Sequence, residues 1–356
     1  MAKEHNQPKI LTAQMRLLER LTNTCAVSGD EGPVREIVLE KIKDHADEIR
    51  VDALGNVLAT RHGKGKNRPR VMLAAHMDEV GFMIVYGDGD GLFRFDTAGG
   101  LDERQLVGKP VWVGADCIPG VIGAKPVHLT TSSEREKSIS IDSLRIDVGP
   151  NNGSKVKVGD RGTFATSFQR IGKSMRAKSI DDRIGVATLI ELLKHAPPNI
   201  DLLAAFTVQE EVGLRGARVA AYAFDPDIAF ALDSTPAMDL PTWDGEENVR
   251  YNTKLGAGPA IYIADGATLS DPRLIRHLQE TAEAEGIPYQ LRQPGGGGTD
   301  AGAIQRQRAG IPSVSVSVPA RYIHTAAAIA RVDDWKNTLS LLYAALSRLS
   351  VDTLSR

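Results

Sequence analysis

Residues 202–211 read LLAAFTVQEE, a nearly all-apolar run that ends on two adjacent glutamates, Glu210 and Glu211. The run reads as a strand. The pair beyond it would face mutual repulsion and loss of hydration unless cations or protons relieve it. Adjacent acids so placed divide labour readily, one binding metal while the other moves protons. The same punctuation recurs along the chain. VMLAA (residues 71–75) gives out at His76, a helix opens on Asp181-Asp182, IAFAL ends at Asp233, and SVSVSVPARYI leads to His324. In an open α/β sheet, ligands bind in the crevice beyond the carboxyl ends of the strands, so these residues converge if the runs are neighbours. Two histidines and several carboxylates in one crevice suit a pair of divalent cations.

Taken singly, each of these residues has an ordinary explanation. His76 would pass as a structural histidine, Asp181-Asp182 as a capping acid and its neighbour, Asp233 as a turn former and His324 as a core or capping group. It is their joint occurrence at strand and helix ends that favours one shared dinuclear site. His76 also begins His-Met-Asp, and in strand-like geometry residues two apart share a side. Asp78 is therefore placed to accept a hydrogen bond from the second imidazole nitrogen and fix the tautomer.

A chain of 356 residues supports one sizeable domain and a smaller one. Lys+Arg 43 against Asp+Glu 45 leaves a formal charge of -2, which provides no global field for nucleic acid or an anionic membrane. The start, MAKEHNQPKI, is polar, and no later stretch stays apolar long enough to span a bilayer. A soluble, cytoplasmic protein with no nucleic-acid or membrane partner is expected. Cys25 and Cys117 are too few and too far apart in sequence for a disulfide framework or a thiolate zinc site, and are expected as buried small hydrophobes.

Two amphipathic helices precede the first strand, one with Leu11, Met15, Leu18 and Thr22 on its stripe, the other opened by Pro33 with Val34, Ile37, Val38 and Ile42 inward. From about Gly81 to Gly172 the texture changes to short apolar pieces (FMIVY, LFRFDTA, PVWVGA, GVIGA, SLRIDVG, GTFAT) punctuated by Gly, Asp and Thr. After Lys173 an alternation of strands and helices resumes. The fold class is α/β, with a discontinuous catalytic domain over 1–80 and 173–356 and an inserted β-rich domain over 81–172. Its short strands present edges to cover, and pairing with a second subunit is one way to cover them.

HMDEVGFMI, SIDDRIGVATLIELL, FTVQEEVGLRGA, ALDST, GGGGTDAGAI and VPARYIHT together resemble, in order, the motifs of the dinuclear metallo-aminopeptidases that assemble tetrahedral dodecamers. That family contains glutamyl, leucyl, lysyl and deblocking enzymes, and the likeness covers nearly the whole chain. It implies a zinc-peptidase-like three-layer α/β/α domain carrying a barrel or PDZ-like dimerisation insert. It also implies two divalent ions per subunit, zinc first, with cobalt or manganese accommodated by the same mixed ligands. By resemblance His76 and Asp233 complete one metal site, Glu211 and His324 the other, and Asp181 bridges both. Glu210 is the general base, Asp78 orients His76, and a cis peptide falls between Asp181 and Asp182. Thr299, Asp300 and Arg321 lie near the substrate. Thr325 stands where serine is more usual, outside the ligand set. His128 is structural, and His5, His45, His62, His195 and His277 are surface or packing residues. The expected reaction is removal of N-terminal residues from short peptides by a homo-oligomer, a dimer that joins into a dodecamer. A related dinuclear hydrolase acting on N-acyl amino acids or another small amide, and a non-catalytic metal-binding assembly protein, are the alternatives.

Overall fold

A computed structural model of the chain describes residues 7–137, 139–241 and 253–354, which leaves His5 outside the described residues. Helices α1 (Thr12–Asn23) and α2 (Gly32–Ile42) lead into strands β1 (Glu48–Val51), β2 (Val57–Arg61) and β3 (Arg70–His76). Six strands then leave the domain: β4 (Gly81–Gly89), β5 (Leu92–Ala98), β6 (Pro110–Val113), β7 (Ile118–Gly123), β8 (Arg145–Asp147) and β9 (Arg161–Phe164), with the short helix α3 (Ser132–Arg135) between β7 and β8. The chain returns through β10 (Gln169–Ile171), β11 (Ser174–Ala177), α4 (Ile180–Lys194), β12 (Asp201–Thr207), α5 (Arg215–Phe224) and β13 (Ile228–Pro236). It ends with β14 (Ala260–Tyr262), α6 (Pro272–Glu285), β15 (Gln290–Arg292), α7 (Asp300–Ile304), β16 (Ser313–Arg321), β17 (Ala328–Arg331) and α8 (Val332–Arg348).

The main sheet runs β1-β2-β12-β3-β13-β16-β17-β11-β10, and β14 pairs with both β15 and β16. Neighbours among β12, β3, β13 and β16 are parallel, so their carboxyl ends share one edge. Alternation along β3 separates two cores. Val71, Leu73 and Ala75 pack with α1, α2, α4 and α8, whereas Met72 and Ala74 face α5 and α7, which makes three layers. The α2 stripe of Val34, Ile37, Val38 and Ile42 is buried as expected. In α1 the buried side is Leu17, Leu18, Leu21 and Thr22, while Leu11 precedes the first turn and is exposed. Among the described residues, no helix is long and apolar enough to cross a membrane.

The insert is a closed antiparallel barrel, β4-β5-β8-β7-β6-β9, with its own core around Phe82, Ile84, Val111, Ile122, Ile146 and Phe164. Phe82 meets Phe95 and Phe164 edge-on, each with ring centroids 5.2 Å apart. Closure pairs every barrel strand on both sides, so the expectation of free strand edges in need of a partner does not hold. The barrel also ends earlier than the sequence texture suggested. Its last strand closes at Phe164, and β10 already pairs into the main sheet from Gln169.

The two cysteines depart from expectation as well. Cys25 follows α1, Cys117 sits in the β6–β7 turn, and their sulfurs lie 3.5 Å apart across the junction of the two domains. Cys117 is exposed and Cys25 half-buried, both as free thiols. Sequence distance concealed a contact that the insertion's folding-back creates.

Candidate metal centre

Strand register assembles the site. Thr207 lies opposite His76, and Ala231 opposite Ala74, which brings Asp233 level with His76 at the carboxyl edge of the sheet. The Nε2 of His76 is 3.1 Å from Asp181 Oδ1 and 3.8 Å from Asp233 Oδ1. His324 points its Nε2 at Asp181 Oδ2, 3.5 Å away, and at Glu211 Oε2, 3.3 Å away. Asp181 thus stands between the two histidines. Ligand atoms of His76, Glu210 and Asp233 fall within 4.8 Å of one another, as do those of His76, Asp181 and Glu211.

Local structure explains each placement. The Asp181–Asp182 peptide bond is cis, and both residues lie outside helical φ/ψ. The two acids take different duties. Asp182 accepts from Gly185 N at 3.0 Å and from His76 N at 3.3 Å, acting as the capping acid, while Asp181 turns to the histidines. Asp78 accepts from the backbone N–H groups of Glu210 (3.0 Å) and Glu211 (3.2 Å) and from Ser28 Oγ (2.6 Å). It therefore fixes the turn that presents both glutamates. Its Oδ1 is 3.4 Å from His76 Nδ1, near enough for attraction between charges but without hydrogen-bond alignment. The tautomer is set more firmly at His324, whose Nδ1 donates to Gly100 O at 2.9 Å and leaves Nε2 as a donor lone pair. His324 holds a left-handed backbone (φ 57°), a conformation sparsely used by non-glycine residues.

Gly99 and Gly100, just past β5, bring the inserted domain to the rim. A Cβ on Gly100 would meet His324 Nδ1 at 3.3 Å, and one on Gly99 would meet Glu211 Cβ at 3.2 Å. Nothing in the periodicity of the sequence pointed to this pair.

Electrostatics show what the cluster lacks. Burial, with Asp181 close by, pushes Asp233 up to about 7. Burial pushes Glu211 up to about 8, against the lowering effect of His324. Glu210 is likewise raised by burial, and Asp233, Asp300 and Glu211 add to it. His76 is raised in spite of its burial because carboxylates surround it, and His324 rises to about 9 for the same reason. Glu211 Oε1 is buried with no hydrogen-bond partner. A crowd of carboxylates that resists ionisation, with an orphaned oxygen and imidazole lone pairs converging on it, fits divalent cations in charge and donor type.

The family profile described as M42 glutamyl aminopeptidase matches residues 55–341. This chain belongs to the M42 glutamyl aminopeptidase family. A lysyl aminopeptidase of Pyrococcus furiosus is 34% identical over 345 residues, covering 94% of this chain and 96% of that protein. A TET aminopeptidase from the marine sediment archaeon Thaumarchaeota archaeon SCGC AB-539-E09 superposes with a TM-score of 0.90 at 34% identity, covering 96% of this chain and 98% of that one. The TET1 peptidase of Pyrococcus horikoshii, described as able to assemble into a tetrahedron or a large octahedral shell, does so with a TM-score of 0.82 at 34% identity, covering 94% and 100%.

In this M42 chain the ligand-type residues border a cavity of about 690 Å³ whose other walls include Tyr262, Arg292, Ile323 and the loops at 266–267 and 296–298. The residues expected beside substrate are placed otherwise. Thr299 is buried against Ser315 Oγ (2.5 Å), and Asp300 accepts from Thr207 Oγ1 (2.6 Å) with its Oδ1 unpartnered. Arg321 is paired with Asp239 at 2.6 and 2.8 Å. None of the three lines the cavity. Arg292 does, and sequence reasoning passed over it because it ends a three-residue strand with no apolar run to mark it.

Proposed function

We propose that this protein is a metal-dependent aminopeptidase that removes the N-terminal residue from short peptides. The observation that carries the reading is Asp181 lying between two histidines, 3.1 Å from His76 and 3.5 Å from His324, with Asp233 beside the first, Glu211 beside the second, and Glu210 close enough to His76 and Asp233 to be a further donor. Two ions would be held by His76, Asp181 and Asp233 and by Asp181, Glu211 and His324. Zinc is the first choice, and cobalt or manganese suit the same donors. When bound, such ions supply Lewis-acid polarisation of the scissile carbonyl and lower the pKa of the attacking water.

The chain's own residues do the rest. Glu210, held by its backbone on Asp78 and raised in pKa by burial, is suited to accept the water's proton and to hand it to the departing amine. The surrounding carboxylates favour the positive α-amino group of a free N-terminus. The walls at 266–267 and 296–298 limit what can extend beyond it.

We further read the protein as a homo-oligomer, a dimer through the barrel that builds a tetrahedral dodecamer. Val107, Val121, Val127 and Leu129 on the barrel are exposed apolar residues that such an interface would cover. Light scattering on metal-loaded protein should give a mass above the monomer, and a monomer mass at micromolar concentration would refute the assembly. The activity is tested by a survey of aminoacyl-anilides with metal content measured on the same sample. Hydrolysis that tracks metal content is expected. Cleavage of N-acyl amino acids with inert aminoacyl-anilides would instead make this a deacylase.

A further inference from the structure

We infer that Cys25 and Cys117 form a redox site, a dithiol that closes reversibly into a disulfide and so fastens the inserted barrel to the α/β domain. The site is separate from the metal centre, and the aminopeptidase reading is not needed for it. The chain has two cysteines in 356 residues, and the fold brings them together from 92 positions apart, with their sulfurs 3.5 Å from each other. Bonded sulfurs lie about 2.05 Å apart, so a closure of about 1.5 Å separates the two thiols from a disulfide.

Both attachment points are held by the backbone around them. On the α/β side, Thr24 O accepts from Lys178 Nζ and from Arg183 Nη1, each at 3.2 Å, and Ala26 N donates to Glu79 Oε1 at 3.0 Å. Cys25 thus sits between two anchored neighbours. On the barrel side, Cys117 N donates to Gly114 O at 3.1 Å, closing the β6–β7 turn that stands on the Val113–Ile118 pair. Sulfurs carried on two fixed segments meet at a high effective concentration, which favours the bond between them over a separate adduct on each.

Access completes the site. Both cysteines line a cavity of about 350 Å³ at the junction, walled by Pro33 from the α/β domain and by Trp112 from the barrel. Cys117 is exposed and Cys25 half-buried, so neither is enclosed as a packing thiol would be. A metal role fits poorly. Two sulfurs with Asp30 as the acid on the same cavity fall short of the four donors of a structural zinc site. Among the described residues, the groups with metal-holding geometry are those around His76.

The oxidant is a low-molecular-weight disulfide. One protein thiol gives up its proton and attacks as thiolate, forming a mixed disulfide and expelling one small thiolate, which takes up a proton. The second protein thiol, deprotonated in turn, attacks the first protein sulfur of the mixed disulfide, and the other small thiol leaves with the second proton. Two protein thiols are oxidised to one S–S bond while one small disulfide is reduced to two thiols. The balance is the same whichever cysteine attacks first, and a reducing dithiol runs it backward. At present the junction is held by noncovalent contacts such as Arg161 Nε of β9 donating to Ser28 O at 3.2 Å, to which the bond would add a covalent one.

The test treats metal-loaded wild-type protein with 2-hydroxyethyl disulfide, a small uncharged oxidant, and follows free thiols, chain mass and Tm. Both thiols should disappear in step, an unreduced digest should yield a Cys25–Cys117 peptide from within one chain, and dithiothreitol should restore both thiols. The cross-link closes a long loop of the unfolded chain, so the oxidised protein should melt about 2 °C or more above the reduced one. C117S, changed at an exposed position, should fold as the wild type does and show no rise in Tm with the oxidant. Thiols that stay free in the wild type, a stable mixed disulfide on either cysteine, or a bond between two chains would each overturn the site. Equal Tm for oxidised and reduced wild type, or the same rise in C117S, would overturn the fastening of the two domains.

Discussion

Asp78 and Glu79 are adjacent in sequence and both are buried, yet they sit in clusters of opposite kinds. Glu79 is complete within the protein. Its carboxylate accepts from Lys178 Nζ at 2.5 Å, Thr163 Oγ1 at 2.9 Å and Ala26 N at 3.0 Å, with Arg183 Nη2 at 3.3 Å. Burial alone would raise its pKa, but Lys178 and Arg183 hold it below the ordinary value. Asp78 faces the other way, toward Glu210, Glu211 and His76, where carboxylates crowd and several are driven up in pKa. In one cluster the chain's own cations and donors meet the carboxylate, and Glu79 joins the barrel's β9 to α4. The other leaves a charge for something outside the chain to close. Burial and polarity are common to both, so they cannot distinguish framework from function. Charge balance does.

The largest effect should come from opening the closed cluster. Glu79→Gln leaves Lys178 and Arg183 buried without their counter-charge, and should cost about 3–5 kcal/mol in denaturant unfolding. Metal content of the remaining folded protein should not change. A loss below about 1 kcal/mol would show that the cluster is not closed by Glu79.

On the open side, Glu210→Gln should lower kcat by about 100-fold or more with both ions still bound, since proton transfer is what the substitution removes. Glu211→Gln should lower metal occupancy as well as rate. Full activity in a metal-replete Glu210→Gln protein would remove that residue from the mechanism.

The two clusters should also respond to pH with opposite signs. Glu211 and Asp233 have folded values of about 8 and about 7, above their ordinary ones, so the metal-free folded state binds protons more tightly than the unfolded chain. Their contribution is therefore present below about pH 4 and lost as pH rises through 7–8. Glu79 is depressed, so its contribution is present above its unfolded value and lost only as pH falls through the folded one. Chelator-treated protein should thus be less stable at pH 8.5 than at pH 5.5, and metal loading should remove that decline because ions replace protons. A chelated protein that gains stability over this interval would contradict the open-cluster description.

Much of the open cluster was legible in the sequence because most of its ligand-type residues follow an apolar run, and parallel strands place such ends at one edge; Asp181, at the opening of α4, is the exception. His76, Asp233 and the Glu210-Glu211 pair all follow that rule. Residues set by long-range pairing were not legible. Arg292 ends a three-residue strand, Gly99 and Gly100 return from the barrel, and Cys25 meets Cys117 only because the insertion folds back. Edge strands such as β1 and β15 carry no apolar run of their own and take their positions from neighbours. The dimerisation argument from strand edges failed for a related reason: local texture shows short strands but not whether they close.

The smallest effects come from a matched pair of hydroxyl deletions. Ser28 donates to Asp78 at 2.6 Å and Thr163 donates to Glu79 at 2.9 Å, so each supplies one neutral donor to one of two adjacent carboxylates. Ser28→Ala and Thr163→Val should each cost on the order of 1.5–3 kcal/mol or less, the range for a hydrogen bond to a charged group. Only Ser28→Ala should reach the ions. Asp78 then keeps its two backbone donors but loses an anchor for the turn carrying Glu210 and Glu211, and metal Kd should weaken by about tenfold, the low end for an outer-shell change. Thr163→Val should leave metal Kd alone, because Glu79 keeps Lys178 and Arg183 and touches no ligand. Competitive chelator titration of both variants reads the difference. Equal shifts in Kd would mean that the two carboxylates act as one network and that the division between closed and open clusters is drawn in the wrong place.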